Sequence, residues 1–278
     1  MSQRTLAAVG VLELANGWGA PTWAAGATRG DGPATTAGAL EHRFELASVT
    51  KLLTALAVLV AVEEGTVALD EPAGPPGATV RHLLAHTAGY PFEGSTPVAE
   101  PGRRRIYSNT GYVVLADHLV VAAEMPFGEY LVAAVVEPLG LTGTTLDGSA
   151  AAGATATVAD VLALGRELLA PTVVDPSTIA EATSVQFPGL DGIVPGIGRM
   201  SPCDWGLGPE LRDDKSPHWT PTTASPRTFG HFGGAGTFLW IDPDAGIACA
   251  GLTDRPFGAW ALDAWPAFGD AVLADGAW

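Results

Sequence analysis

Lysine is the scarcest charged residue in this 278-residue chain: there are 12 Arg, but only Lys51 and Lys215. Lys51 opens a stretch in which residues 55–62 are apolar without a break. Burying an ammonium is costly unless something is gained by it. Arg keeps its proton inside a protein, whereas a desolvated Lys can lose it and act as a base. Ser48 stands three residues before Lys51, which on a helix puts hydroxyl and amine on one face, one turn apart. A helix N-terminus also favours a developing anion. The pair thus has the parts of a nucleophile and its base. With 10 Ser and 2 Lys, a Ser-x-x-Lys is expected about 0.07 times by chance. The plain alternative is a capping Ser48 and a Lys51 that snorkels to solvent.

Two further groups could serve such a pair. Tyr107-Ser108-Asn109 precedes a helical pattern, so its side chains can project from a loop. A Tyr hydroxyl beside a Lys can relay a proton, and an Asn amide can orient the Lys and hold a carbonyl. Taken singly, a core Tyr and a capping Asn explain them as well. His231-Phe232-Gly233-Gly234 falls near the start of a strand. Glycines there mark close backbone approach, as for a substrate laid along a sheet edge, or else a simple Gly-rich bulge. The N–H groups of Ser48 and Gly234 could together form an oxyanion hole.

These side chains need positioning elements. Residues 5–14 read as a strand, with a second around 21–28 returning beside it after the Ala15-Asn16-Gly17 turn signal, and 29–40 reads as a loop. Residues 50–64 are the strongest helix, stopped by Gly65 and apolar enough all round to lie inside the protein. Residues 71–77 form a Pro-stiffened loop. Thr79 caps a short helix over 80–88 that Gly89 ends. Helices follow over 110–124, over 126–136, and from the Thr157-Val158-Ala159-Asp160 cap to before Pro171. Residues 171–226 carry no clear pattern. Strands at 228–241 and 247–253 are joined by the Asp242-Pro243-Asp244-Ala245-Gly246 turn, and a helix spans 259–274.

Strands at both ends with helices between predict an α+β fold. Its antiparallel sheet is built from the two termini and flanked by helices, with an inserted mainly helical region. The expected division is 1–65 with 155–278 as the sheet region and 66–154 as the insertion, in one integrated catalytic unit.

Composition bounds the partners. The formal net charge of −16 argues against nucleic acid and anionic membrane surfaces. The longest stretch without Asp, Glu, Lys or Arg is 14–28, too short to span a membrane. Residues 1–10 lack the pattern of a signal peptide. A cytoplasmic location and free thiols at Cys203 and Cys249 are therefore expected. No cofactor is expected. His82 and His86 have metal-ligand spacing but no evident third ligand, so no metal is expected either. Arg103-Arg104-Arg105 reads as a solvated loop, with carboxylate steering as the alternative. Trp205, Trp219 and Trp240 read as packing residues, or as walls of an acyl pocket. Gly-x-Ser-x-Gly is absent, which gives no support to an α/β-hydrolase elbow.

Taken in order, Ser48-Val49-Thr50-Lys51, Tyr107-Ser108-Asn109 and His231-Phe232-Gly233 resemble the motifs of the serine β-lactamase and penicillin-binding-protein superfamily. The class C β-lactamase, DD-peptidase and esterase branch is closest, because it has Tyr-x-Asn. Supporting stretches are Phe44-Glu45-Leu46-Ala47, Glu64-Gly65-Thr66-Val67-Ala68-Leu69-Asp70-Glu71-Pro72, His82-Leu83-Leu84-Ala85-His86-Thr87-Ala88-Gly89 and Pro138-Leu139-Gly140-Leu141, so the likeness covers residues 40 to 255.

The resemblance implies a β-lactamase/transpeptidase-like fold and an acyl-enzyme mechanism. Ser48 would be the nucleophile, with acid and base work shared by Lys51 and Tyr107 in an order left open. Asn109 would position Lys51 and the substrate amide. His231, Gly233 and Gly234 would line the substrate and oxyanion side, and the His-Thr-Ala-Gly corner would be structural. His231 stands where β-lactam-hydrolysing members carry a Lys that helps bind the substrate carboxylate, and a neutral His is a weaker anion partner. An esterase or D-amino-acid peptidase acting on small esters or amides is therefore expected. The alternatives are a β-lactamase or DD-carboxypeptidase, or a non-catalytic penicillin-recognising protein. The chain is short for this branch, which implies trimmed loops and an open cleft.

Overall fold

The computed structural model describes residues 10–276. Its strands are β1 (Trp23–Thr28), β2 (Thr35–Gly38), β3 (Phe44–Glu45), β4 (Thr145–Leu146), β5 (Ala154–Ala156), β6 (Gly192–Val194), β7 (Gly198–Met200), β8 (Glu210–Leu211), β9 (Phe229–Gly233), β10 (Thr237–Asp242) and β11 (Ile247–Thr253). Its α-helices are α1 (Thr50–Glu63), α2 (Val80–Leu84), α3 (Asn109–Ala123), α4 (Phe127–Leu131), α5 (Val158–Leu169), α6 (Pro176–Ala182) and α7 (Ala259–Asp275). Six strands form one antiparallel sheet in the order β2-β1-β11-β10-β9-β8, so the two ends of the chain meet at the β1–β11 pair. The fold is the α+β arrangement expected.

Alternation along β10 and β11 shows why both strands read as unbroken apolar runs. Leu239, Ile241, Ala248, Ala250 and Leu252 face one core with α1 and α5. Phe238, Trp240, Ile247 and Cys249 face a second core with Trp18 and α7. A sheet covered on both faces needs no polar side, which is uncommon for antiparallel strands. Asp242 builds the connecting turn, its Oδ1 accepting from the N–H groups of Asp244 and Ala245 at 3.0 and 3.1 Å. Both cysteines are free and buried. Among the described residues no single helix is long and apolar enough to cross a membrane.

Several local expectations are corrected. Residues 5–9 of the first expected strand lie outside the described residues, but 10–12 are helical and Glu13–Trp18 is a 3₁₀ helix. Leu12, Ala15 and Trp18 are buried, which is the three-residue period of a 3₁₀ helix and not the two-residue period of a strand. β1 pairs with β11 and β2, and β2 itself falls within the expected loop 29–40. The expected single strand 228–241 is a hairpin of β9 and β10. Gly236, at φ 93°, lies in its turn and lets the chain reverse. The patternless stretch 171–226 contains α6, β6, β7 and β8.

The expected helix 80–88 stops at Leu84, and a tertiary contact explains it. His86 adopts φ 57°, outside the helical region. Its Nδ1 accepts the Ser108 N–H at 3.1 Å, and its ring lies against Tyr107, Tyr112 and Trp205. His82 and His86 therefore do not share a helical face. Ser108, not Asn109, caps α3, its side chain accepting from the Gly111 N–H at 2.9 Å.

The arginine run also differs from the solvated loop expected. Arg103 and Arg104 are exposed, but Arg105 is buried. Its guanidinium donates to the carbonyls of Cys203 (2.8 Å), Ala85 (2.5 Å), Gln186 (2.6 Å) and Phe187 (3.3 Å). Burial pulls Arg105 down to about 10, so it stays charged at neutral pH. This clamp ties the segment before Tyr107 to three separate loops. Arg105→Met would leave those buried carbonyls short of donors. It is expected to cost about 3 kcal/mol in urea unfolding. A loss under about 1 kcal/mol would contradict the clamp.

Candidate active site

Ser48 sits in a 3₁₀ turn, Ala47–Val49, that leads directly into α1. The residue before it, Ala47, is held at φ 44°, a conformation that costs an L-residue energy and persists only when its surroundings impose it. The surroundings here are the sheet. The Leu46 carbonyl accepts from Thr237 Oγ1 on β10 at 2.9 Å, and the Leu46 N–H donates to the Ala154 carbonyl at 2.9 Å. A Cβ on Gly233 would collide with the Leu46 carbonyl and Thr237 Oγ1. Gly233 is thus the point where the sheet touches the serine turn. The close approach expected of the glycines is to the protein's own backbone at this position.

Lys51 is fully buried in the first turn of α1. Its Nζ lies 2.7 Å from Asn109 Oδ1, 2.9 Å from the Ala151 carbonyl and 3.3 Å from Ser48 Oγ. Neighbouring residues of α1 hold the same stretch. Thr54 Oγ1 donates to the Ala150 carbonyl at 2.6 Å, and Thr50 Oγ1 accepts the Ala154 N–H at 3.1 Å. The Lys51 environment decides which form it favours. Its two closest partners are pure acceptors and absorb two N–H bonds. A neutral amine then has one lone pair left, facing the serine hydroxyl. Burial pulls Lys51 down to about 7, and the nearby Glu93 carboxylate opposes that fall. Lys215 is buried too, but 3.6 Å from the Glu210 carboxylate, so it sits in an ion pair.

Asn109 links the lysine to Glu93. Its Nδ2 donates to Glu93 Oε1 at 2.8 Å, which settles that its oxygen faces Lys51. Sequence reasoning missed Glu93. It is an exposed residue in a Pro- and Gly-rich loop 16 positions from Asn109, and only the fold brings them together. Also missed was the Ala151 carbonyl, which no side-chain pattern could reveal.

Tyr107 and His231 complete the cluster. Both are buried, and the Tyr107 hydroxyl lies 3.3 Å from His231 Nε2. His231 Nδ1 lies 2.7 Å from the Phe232 carbonyl. A carbonyl only accepts, so Nδ1 carries the proton, and Nε2 of the neutral ring accepts from Tyr107. Burial and the Lys51 charge pull His231 down to about 3, which keeps it neutral at any ordinary pH. Burial pushes Tyr107 well above the usual phenol range, against an opposing hydrogen bond with Ser48. Ser48 thus lies between an amine that readily loses its proton and a phenol that holds its own.

A cleft of about 200 Å³ opens onto Ser48, walled by Phe92, Val194, Trp205, Phe232 and Phe257, with Gly234 at its edge. No Cβ-sized obstruction lies at Gly234, and its carbonyl is tied to the Phe257 N–H at 3.0 Å. Of the three tryptophans singled out, Trp205 lines the cleft, while Trp219 and Trp240 pack in the second core.

A sequence model of the beta-lactamase family matches residues 5–272. The chain belongs to that family. A crystal structure described as a beta-lactamase from Mycobacterium bovis is 53% identical, with a TM-score of 0.95 over 96% of this chain and 100% of that one. Penicillin-binding protein 4* of Bacillus subtilis (strain 168) is 31% identical over a match covering 36% of this chain and 30% of that protein. The D-alanyl-D-alanine-carboxypeptidase/endopeptidase AmpH of Escherichia coli (strain K12) is 29% identical over 38% of this chain and 37% of that protein. The matched stretch spans about a third of the length of these curated relatives. Family membership agrees with the motif order, and the α+β fold is the one this beta-lactamase-family member was expected to have.

Lys51 can be watched directly, because only two lysines are present. The ¹³Cε resonance of labelled Lys51 is expected to titrate near pH 7. Glu93→Gln keeps an acceptor for Asn109 but removes the negative charge that raises Lys51, so the midpoint should fall. A Lys51 midpoint near its ordinary value of about 10 would overturn this picture of the site.

Proposed function

We propose that this protein is a serine hydrolase that acts through an acyl-enzyme on small esters or amides. The observation that carries the reading is Ser48 at 3.3 Å from a buried Lys51 amine whose other two contacts are acceptors. Neutral Lys51 takes the Ser48 proton as the oxygen attacks the substrate carbonyl carbon. The tetrahedral oxyanion is received by the N–H groups of Ser48 and Gly234. Tyr107, a neutral phenol bridging Ser48 and His231, returns a proton to the leaving group and is reprotonated from Lys51. Water then repeats the cycle on the acyl-enzyme. Asn109 holds Lys51 in place, and Glu93 holds Asn109.

His231 supports esters and small amides over β-lactams. It is uncharged, and its Nε2 is an acceptor occupied by Tyr107, so β9 offers no cation to a carboxylate beside the scissile bond. A β-lactamase or DD-carboxypeptidase is the second reading. It is favoured by what the 53% identical Mycobacterium bovis protein and the Escherichia coli relative are called.

Turnover of p-nitrophenyl butyrate is expected to drop at least a hundredfold in Ser48→Ala. Equal rates would sink the hydrolase reading and leave a penicillin-recognising protein without turnover. Intact mass after fluorophosphonate treatment should show one adduct, at Ser48. Because the base is the neutral amine, kcat/KM is expected to fall as pH drops through about 7. Nitrocefin hydrolysed faster than the butyrate ester would instead favour the second reading.

A further inference from the structure

A second cavity, of about 520 Å³, adjoins the reactive cleft and shares Phe92, Tyr107 and Pro195 with it. Its charged lining is three guanidiniums, of Arg104, Arg105 and Arg199, against one carboxylate, Asp191. That is a local excess of positive charge on a chain of net charge −16. The three cations are not equivalent. Arg105 is consumed by its four carbonyls. Arg199 donates to Asp191 at 2.6 Å, and Ser201 Oγ donates to the other oxygen of the same carboxylate at 2.6 Å. Arg104 is exposed, and its charge helps hold the Asp191 carboxyl below its ordinary range, but among the described residues it makes no direct ion pair, the contact to Asp191 being taken by Arg199. Arg103, next in the chain, points elsewhere, 3.6 Å from Glu100, and does not line the groove. Phe92, Ile193 and Pro195 make the rest of the groove apolar.

We infer that this groove seats a free carboxylate carried by the substrate at a distance from the scissile carbonyl, with Arg104 as its partner. The inference rests on the hydrolase reading and narrows it to acid-bearing esters or amides. A planar guanidinium with uncommitted N–H groups matches a carboxylate in bidentate fashion. The apolar walls receive the linking chain, and Arg104 meets the acid group at the exposed rim. The groove lies on the Tyr107 and Phe92 side of the cleft, whereas His231 leaves β9 without a cation. The acid group is therefore placed in the adjoining groove and not on β9.

The test compares kcat/KM for p-nitrophenyl butyrate, for mono-p-nitrophenyl glutarate, with the acid on the acyl side, and for 4-carboxyphenyl butyrate, with the acid on the leaving side. One acid ester is expected to be preferred over its neutral counterpart. Arg104→Gln is expected to lower that preference about tenfold, while Arg103→Gln leaves it within twofold. High salt should erode it. Equal preference in wild type and Arg104→Gln, or equal losses in both arginine variants, would overturn the proposal. A binding readout separates it from failure of the hydrolase reading. Monoethyl glutarate should bind Ser48→Ala about tenfold more tightly than diethyl glutarate by calorimetry, and Arg104→Gln should abolish the difference. Monoester binding without any turnover would sink the hydrolase and keep the groove. Turnover without a monoester preference would do the reverse.

Discussion

Placing an amine in a dry interior without a carboxylate to pair with it is the constraint around which this molecule is organised. Lys51 receives an amide oxygen, a main-chain oxygen and a serine hydroxyl, and no anion in direct contact. Had a carboxylate taken the place of Asn109, the charged form would be locked in and the amine would be useless as a base at neutral pH. Lys215 shows that arrangement, beside Glu210. Glu93 is set one amide further out. Its charge moderates the lysine through Asn109 without neutralising it.

Everything that holds those acceptors must itself be held. The Ala151 carbonyl depends on a segment fastened to α1 by Thr50 and Thr54. The serine depends on a left-handed Ala47 that Thr237 and Gly233 pin against the sheet. Tyr107 depends on a loop anchored from below by Arg105 and from the side by His86. Each support comes from a different part of the chain. This is why the sheet must close between the first described strand and the last.

The same economy shapes the cleft. Hydrogen-bond acceptors and neutral donors do the close work, and the surrounding walls are aromatic. His231 leaves β9 neutral, and the exposed Arg104 puts positive charge in the adjoining groove instead. The contrast is set by burial. A histidine sealed beside Lys51 cannot take up a second proton, while an arginine at the rim has no reason to lose one.

The residue pattern and the family's motif order together carried the candidate cluster. Ser48-x-x-Lys51 was legible because helix periodicity and side-chain chemistry are local properties, whereas Tyr107-x-Asn109 and His231-x-Gly233 were singled out through the motif order of the family. The 50–63 helix, the β10–β11 turn and the terminal helix were legible for the same local reason as the Ser48–Lys51 pair. Tertiary contacts decided the rest. Glu13–Trp18 became a 3₁₀ turn because a second core lay beneath Leu12, Ala15 and Trp18. The 80–84 helix ended early because His86 turned to meet Ser108. Arg105, one of three identical neighbours, was drawn inside because four carbonyls from distant loops converge there. Glu93 joined the site from an exposed loop. Composition and spacing report what a segment can do by itself. Which buried polar atom meets which partner is settled only when the chain closes, because the cost of leaving such an atom unpaired is paid by the whole fold.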